Sequence, residues 1–327
     1  MELSFRIIRA GLFAMALVSL PPCSALAQDW PLKEPIKVIV PFGAGSSTDA
    51  IARLVADQIG KQLGQTLIVE NRAGASGTTG TSAVAKASPD GYTLLVHASS
   101  HTVTPSTFTQ LSYNAQSDFA AVAVLASIPI VIVTNSGRGY KTTRDLIAAA
   151  KAKPGAMNYA SAGVGSATHL AAERFKLSAG FAAQHVPFKG SSDAITEILA
   201  DRMDFYASPV NSAISLINEG KLTGLAVSAS QRSSALPNVP TTVEAGLADS
   251  NYDFWVGALF PAKTPDAIVN RMHAEVMKAM SDPALIAKFA ALGADPVKLS
   301  PKEFEAMIAR EIISNAAVVK AAGIKAN

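Results

Sequence analysis

The sequence predicts an α/β fold of two similar lobes, each a mainly parallel sheet flanked by helices. Short β-branched runs alternate with amphipathic stretches of helical period along the chain. Two distant segments also read alike. The first is Val38-Ile39-Val40-Pro41-Phe42-Gly43-Ala44-Gly45-Ser46-Ser47-Thr48-Asp49-Ala50-Ile51, and the second is His185-Val186-Pro187-Phe188-Lys189-Gly190-Ser191-Ser192-Asp193-Ala194-Ile195. Each is an apolar run, then Pro-Phe, then a Gly/Ser loop, then an Asp that opens a helix. A loop of this kind presents free backbone N–H groups at the positive end of a helix dipole, which suits an anion. Two such loops on two lobes face a shared cleft, and binding there requires no chemistry on the anion.

Ile36–Val40 is a strand by its β-branched run. A helix over 49–63 follows, with Ile51, Leu54, Val55 and Ile59 on one face and Gly64 at the stop. Residues 67–70 form a second strand, 71–80 a Gly-rich loop and 81–87 a short helix. Pro89-Asp90-Gly91 turns the chain into a third strand over 92–96. This βαβαβ order predicts parallel pairing through right-handed crossovers. Residues 120–133 are extended and apolar. Ser127 and Pro129 interrupt the run 122–133, so it reads as buried strand and not as a membrane span.

Thr142 caps a helix over 143–153. The strand–helix pattern then repeats: 157–160 with 167–177, 184–186 with 193–199, 205–207 with 213–218, and a strand over 223–227. Pro237, Pro240 and Thr241-Thr242 mark a loop, and 253–260 is another apolar run. The remainder is helical over 265–280, 283–292 and 301–320. No Pro/Ser-rich linker separates the lobes. The apolar runs near Ser127 and Tyr252 are the expected crossings. They give a first lobe of 28–126 plus 254–327 and a second lobe of 127–253.

The N-terminus reads as an export signal. Arg6 and Arg9 supply the positive region, and 11–20 is apolar but too short to span a bilayer. Ala25-Leu26-Ala27 is a small-x-small cleavage site, which makes 1–27 a signal peptide and Gln28 the first mature residue. Pro22 precedes Cys23 where a lipoprotein needs a small residue. Cleavage removes this sole Cys, so no disulfide, thiolate nucleophile or Cys metal ligand is expected in the mature chain. The whole chain carries 28 basic and 25 acidic residues. Losing Glu2, Arg6 and Arg9 with the leader leaves it close to neutral. Such a chain has no bulk field to draw nucleic acid or anionic membrane.

Catalytic motifs are missing. There is no G-x-S-x-G elbow, no G-K-[ST] and no H-E-x-x-H. Gly43-Ala44-Gly45-Ser46-Ser47-Thr48 and Gly163-Val164-Gly165-Ser166-Ala167-Thr168 both lack the third Gly of a dinucleotide fingerprint. His97 and His101 have i, i+4 spacing but sit at a strand end and in a loop, so they read as structural rather than as a metal pair. Asp49 either bonds backbone amides at its helix start or accepts a donor from a ligand. Ser46, Ser47 and Thr48 cap, bind, or do both through different groups. Ser166 and Thr168 have the same two roles, and two glycines beside them allow close backbone approach. His169 is either a buried, hydrogen-bonded residue or a ligand contact. Lys189 adds charge at the cleft rim. Trp255 reads as a core aromatic rather than a cleft wall.

These pieces resemble, over the whole mature length, the periplasmic solute-binding proteins of tripartite tricarboxylate transporters, the Bug family. The matching stretches are Val40-Pro41-Phe42 with Gly45 and Thr48-Asp49, Val69-Glu70-Asn71-Arg72-Ala73-Gly74-Ala75-Ser76-Gly77, and Ser88-Pro89-Asp90-Gly91-Tyr92-Thr93-Leu94-Leu95. They continue through Tyr159-Ala160-Ser161-Ala162-Gly163-Val164-Gly165-Ser166 with His169-Leu170, His185-Val186-Pro187-Phe188-Lys189-Gly190, Leu236-Pro237-Asn238-Val239-Pro240-Thr241 and Pro261-Ala262-Lys263-Thr264-Pro265. The resemblance implies a periplasmic-binding-protein clamshell that holds a small organic acid between its lobes, partly through water, and delivers it to membrane transporter subunits. It implies no cofactor, no metal and no catalytic residue, and a monomer is expected. The ligand-binding set it implies is Phe42, Gly45, Ser46, Ser47, Thr48, Asp49, Ser99, Ser161, Gly165, Ser166, Thr168, His169, Lys189, Gly190 and Ser208. Ser46 departs from a second Gly usual in the family. Ser208-Pro209-Val210 departs from an Asp/Asn-containing stretch.

A secreted serine hydrolase acting on small esters, with Ser46 or Ser166 and His169, is the competing expectation. It lacks both a nucleophile motif and an evident acid partner. A docking module that binds a membrane partner without ligand is a third. Low charge at the loops suits aliphatic and aromatic mono- or dicarboxylates alike.

Overall fold

The computed structural model describes residues 30–229 and 231–325. The expected leader, its cleavage site and Cys23 lie outside the described residues. Two mixed sheets form the framework. The first holds six strands: β1 (Ile36–Val40), β2 (Leu67–Asn71), β3 (Thr93–Ala98), β4 (Phe119–Ser127), β10 (Trp255–Pro261) and β11 (Asp295–Pro296), in the order β11-β4-β10-β3-β1-β2. The second holds five: β5 (Ile130–Asn135), β6 (Asn158–Ser161), β7 (Gln184–Pro187), β8 (Phe205–Pro209) and β9 (Leu222–Val227), in the order β7-β6-β8-β5-β9. The chain passes between sheets after Ser127 and again before Trp255. Ile128 N–H donates to Phe254 O at 2.7 Å, so the two crossing segments are bonded to each other.

Most strands of each sheet run in one direction, as expected, and the sheets are mixed because β5, β10 and the short β11 run against the rest. β1 pairs parallel with β2 and β3, and β6 pairs parallel with β7 and β8. By contrast, β10 is antiparallel to β3 and β4, β11 is antiparallel to β4, and β5 is antiparallel to β8 and β9. The crossings are the cause. β5 and β10 each enter a lobe from the other one, so they run against strands that head toward the crossing. All the remaining long strands therefore end, by their carboxyl termini, on the same side of each sheet. That is the side on which open α/β sheets place ligands.

Helices α1 (Ser47–Leu63), α2 (Thr78–Ala85), α8 (Asp266–Ala279), α9 (Pro283–Ala291) and α10 (Pro301–Ala322) belong with the first sheet, beside the one-turn α3 (Thr104–Thr107). Helices α4 (Thr143–Ala152), α5 (Ala167–Ala179), α6 (Ser191–Leu199) and α7 (Val210–Asn218) belong with the second. Thr142 caps α4 in a reciprocal box with Asp145, as its sequence predicts. Gly64 ends α1 in the left-handed conformation. Helices α1, α6 and α7 begin two or three residues earlier than their apolar periodicity suggests, because polar first-turn residues carry no apolar signal; only α1 of the three starts at a side-chain cap, Ser46.

One apolar cluster runs from Val38, Val96 and Val256 through Ile128, Ile130 and Phe254 to Phe175 and Phe205. The crossing is thus packed with buried side chains, each worth about 1.5–3 kcal/mol relative to exposure. Trp255 is core, as expected. Its ring meets Phe304 edge-on at 5.1 Å between centroids, and its Nε1 donates to Glu311. Among the described residues, no helix is long and apolar enough to cross a membrane.

Candidate functional site

A cavity of about 620 Å³ lies between the lobes at the carboxyl ends of the strands. This volume falls within the range that small ligands occupy. Four strand-to-helix junctions surround it. From β1 come 41–48 before α1, and from β6 comes Ala162 with Ser166, Ala167 and Thr168 at the start of α5. From β7 come 188–192 before α6, and from β8 come Pro209, Asn211 and Ser212 at the start of α7. Residues 73–77 after β2 close a further side. In each helix the first-turn amides have no intrahelical acceptor, so several helix N-termini aim free N–H groups at one space.

The loops of α1 and α5 are built alike to a degree the sequence reading missed. Ser46 N–H donates to Gly43 O, and Ser166 N–H donates to Gly163 O, both at 3.2 Å. Ser46 Oγ accepts from Asp49 N–H, and Ser166 Oγ accepts from His169 N–H, both at 3.3 Å. Gly45 N–H donates to Asp49 Oδ2 at 2.9 Å, and Gly165 N–H donates to His169 Nδ1 at 3.1 Å. Gly45 and Gly165 have φ of 78° and 72°, the left-handed region that favours glycine. Gly43-x-Gly45-Ser46-x-Thr48-Asp49 therefore corresponds to Gly163-x-Gly165-Ser166-x-Thr168-His169. The Pro-Phe repeat, which pairs the α1 loop with the α6 loop, is a looser likeness. Gly190 precedes α6 with extended backbone and no side-chain cap.

This correspondence locates Asp49 and His169. Both are buried braces at the back of their loops, outside the cavity lining. Asp49 Oδ1 also accepts from Asn71 Nδ2 at 2.8 Å, and Arg53 Nε donates to Oδ2 at 3.0 Å. Burial pushes the Asp49 carboxyl up. Hydrogen bonds from Arg53, Gly45 and Asn71, with the Arg53 charge, outweigh it and hold the group below its usual range. His169 stacks on His185 with centroids 3.7 Å apart. Burial, then the neighbouring His185 and Lys176, pull it down to about 3, so it is neutral. Its Nδ1 accepts, which leaves the ring proton on Nε2.

Of the expected set, Phe42, Gly45, Ser46, Ser47, Thr48, Ser166, Thr168, Lys189 and Gly190 line the cavity. Asp49, Ser99, Ser161, Gly165, His169 and Ser208 do not. Ser99 is fully buried and accepts from Tyr252 Oη at 3.0 Å. Ser161 Oγ is bonded to His185 Nε2 at 2.6 Å beneath the α5 loop. Ser208 Oγ donates to Pro209 O inside the second core. Ser191 and Ser192, beside Gly190 in the second Gly/Ser loop, also line the cavity, while the sequence reading missed Ala73 to Gly77, Ser100, Phe188, Asn211, Ser212 and Phe254. The strand–loop–helix pattern after β8 was a usable signal for Asn211 and Ser212.

The lining is electrostatically simple. Lys189 is its charged residue, and none of the described lining residues is acidic. Phe42, Phe188 and Phe254 with several alanines supply apolar walls. Two side-chain contacts of the cleft lining join the lobes, Ser47 with Asn211 and Ser76 with Val164. Asn211 Nδ2 donates to Ser47 Oγ at 2.9 Å, and Ser76 Oγ donates to Val164 O at 3.1 Å. A serine nucleophile is not assembled. Ser46 and Ser166 hydroxyls are engaged as helix caps, and His169 Nδ1 faces a backbone amide. Among the described residues, no group of three or more His, Cys, Asp or Glu is placed to hold a metal.

Residues 51–324 match the model of the tripartite tricarboxylate transporter family receptor, TctC. The chain is 36% identical over 293 residues to Protein BugT of Bordetella pertussis, covering 89% of this chain and 90% of that one. A solved R. palustris protein with adipate superposes with TM-score 0.84 at 30% identity, covering 91% of this chain and 99% of the other. MatC from Rhodopseudomonas palustris with bound malate superposes with TM-score 0.80 at 29% identity, covering 89% and 100%.

Proposed function

We propose a function from one premise: the chain belongs to the tripartite tricarboxylate transporter receptor family, whose members are periplasmic solute-binding proteins and not enzymes. In this reading the protein captures a small organic carboxylate between its lobes in the periplasm and hands it to membrane transporter subunits. It works as a monomer, exported with residues 1–27 cleaved. Residues 28–126 plus 254–327 move as one lobe, and 127–253 as the other.

The observation that carries the reading is the convergence of the helix N-termini of α1, α5, α6 and α7 on a cavity with no acidic residue among its described lining residues. A single exposed helix-dipole contact is worth only about 0.3–1 kcal/mol. Several converging on one cleft, joined by hydroxyls of Ser46, Thr48, Ser166 and Thr168, suffice to hold a carboxylate without a formal ion pair. The adipate-bound and malate-bound relatives support the same ligand class. Direct contacts are assigned to Phe42, Gly45, Ser46, Ser47, Thr48, Ser166, Thr168, Lys189 and Gly190, and a positioning role to Asp49 and His169.

The test is a thermal-shift screen of aliphatic and aromatic mono- and dicarboxylates, followed by calorimetric titration. A ligand that binds only the native state raises stability by RT ln(1 + [L]/Kd), about 2.7 kcal/mol at a hundred times Kd. A carboxylate that raises the midpoint and binds with one-to-one stoichiometry is expected. No shift across the acids, with a shift for amines or neutral sugars, would reject the reading.

A further inference from the structure

Ser100 stands apart in the cavity lining. It follows β3 at the wall where the chain crosses between lobes, and Ala98 and Phe254 line the cavity beside it. The residue is 4% exposed, and no protein group bonds its Oγ. The neighbouring hydroxyls are all engaged: Ser99 Oγ accepts from Tyr252, and Thr102 Oγ1 bonds Ser99 O. A buried hydroxyl without a partner is unfavourable, and this one, itself shielded, is a side-chain rotation away from a group in the cavity that its residue lines.

The charges around this wall limit what that ligand group is. His97 Nδ1 lies 2.8 Å from Ala98 O, and a carbonyl only accepts, so the ring proton sits on Nδ1. His97 Nε2 is then a bare acceptor, packed behind Gly77 and Phe42. Burial drives His97 well below its usual range and holds His101 at about 4, so both rings are neutral at pH 7. Arg174, behind the wall, is engaged by the Tyr252 ring and by Asn315 Oδ1. Lys189 is exposed on the second lobe. A carboxylate pressed against the wall would lose hydration with no counter-charge facing it.

We propose that Ser100 reads a neutral hydrogen-bonding group on the body of the ligand where it meets this wall. The receptor then prefers a monocarboxylate carrying a hydroxyl, or a group of like polarity, over the matching dicarboxylate. This rests on the carboxylate reading above and narrows it.

The mature protein and its Ser100→Ala variant are titrated calorimetrically at pH 7.5 with two matched triplets. One is benzoate, 4-hydroxybenzoate and terephthalate. The other is hexanoate, 6-hydroxyhexanoate and adipate. In a triplet that binds, the hydroxy acid is expected to bind tightest. Ser100→Ala should weaken that member about three- to tenfold and leave the unsubstituted acid unchanged. The ligand-free melting temperature of Ser100→Ala should equal or exceed that of the parent, because an unpartnered hydroxyl is removed. A dicarboxylate or unsubstituted acid binding tightest, an equal loss across a triplet, or a variant that melts lower or fails to fold would overturn the proposal. Binding of none of the six would overturn the carboxylate reading itself, and this proposal with it.

Discussion

Asp49→Ala separates a brace from a ligand contact. The carboxylate is 3% exposed and accepts from Gly45 N–H, from Asn71 Nδ2 and from Arg53. The Arg53 side chain is 50% exposed, so its share is discounted to about 0.5 kcal/mol. The amides of Gly45 and Asn71 lose a buried charged acceptor, which costs about 1–3 kcal/mol. The total is about 1.5–3.5 kcal/mol. At about 2–4 °C per kcal/mol for a chain of this size class, the melting temperature should fall by about 3–14 °C. Asp49→Asn keeps one acceptor oxygen and should fall between the two. Because Asp49 lies behind the cavity lining, ligand should still raise the melting temperature of Asp49→Ala, with affinity reduced only as far as the 43–48 loop loosens. Differential scanning calorimetry with and without a bound carboxylate measures both. A variant that melts like the parent yet loses more than tenfold in affinity would refute the brace and return Asp49 to the ligand.

Three further outcomes are expected. Gly165→Val places a β-branched residue at φ 72°, with its Cβ 3.3 Å from Thr107 Oγ1, whereas Gly45→Val meets nothing within 4 Å; both should lose affinity by titration, and equal melting temperatures for the two would contradict the Thr107 contact. Burial holds His101, His169 and His185 at about 4, 3 and 4, so the unfolded chain takes up protons first as pH drops. Their stability contribution is complete above about pH 6.5 and is lost toward pH 4, up to about 2 kcal/mol each at pH 5. Glu311, raised by burial to about 7, opposes this, since its contribution is lost as pH rises from 4.5 through 7. A urea midpoint at pH 5 equal to that at pH 7 would refute the dominance of the histidines. Finally, Asn211→Ala removes the bond to Ser47 across the cleft, and small-angle scattering should show a larger ligand-free radius of gyration that ligand reduces. An unchanged radius in both states would count against lobe closure.

The strands, helices and their alternation were legible because they rest on local causes. Ile36–Val40 is β-branched, Thr142 and Asp145 form a box, and Gly64 and Gly180 stop their helices. The loop after β1 was legible as a donor-rich cavity wall for the same reason: a Gly/Ser run between a strand and a helix exposes amides whatever surrounds it. Family resemblance was carried by these same runs.

Tertiary structure decided the rest. Strand direction in each sheet depends on which lobe the chain arrives from, and no local pattern encodes that, so β5 and β10 turned out antiparallel. Asp49 and His169 differ in chemistry, and only the folded loops show them accepting equivalent amide bonds from Gly45 and Gly165. Ser99 and Ser100 are identical neighbours in sequence. A strand-end geometry turns one hydroxyl to Tyr252 and leaves the other without a protein partner at the cavity wall. Local propensity follows from a residue and its neighbours, whereas the partner of a buried polar atom is set by whichever distant element packing brings against it.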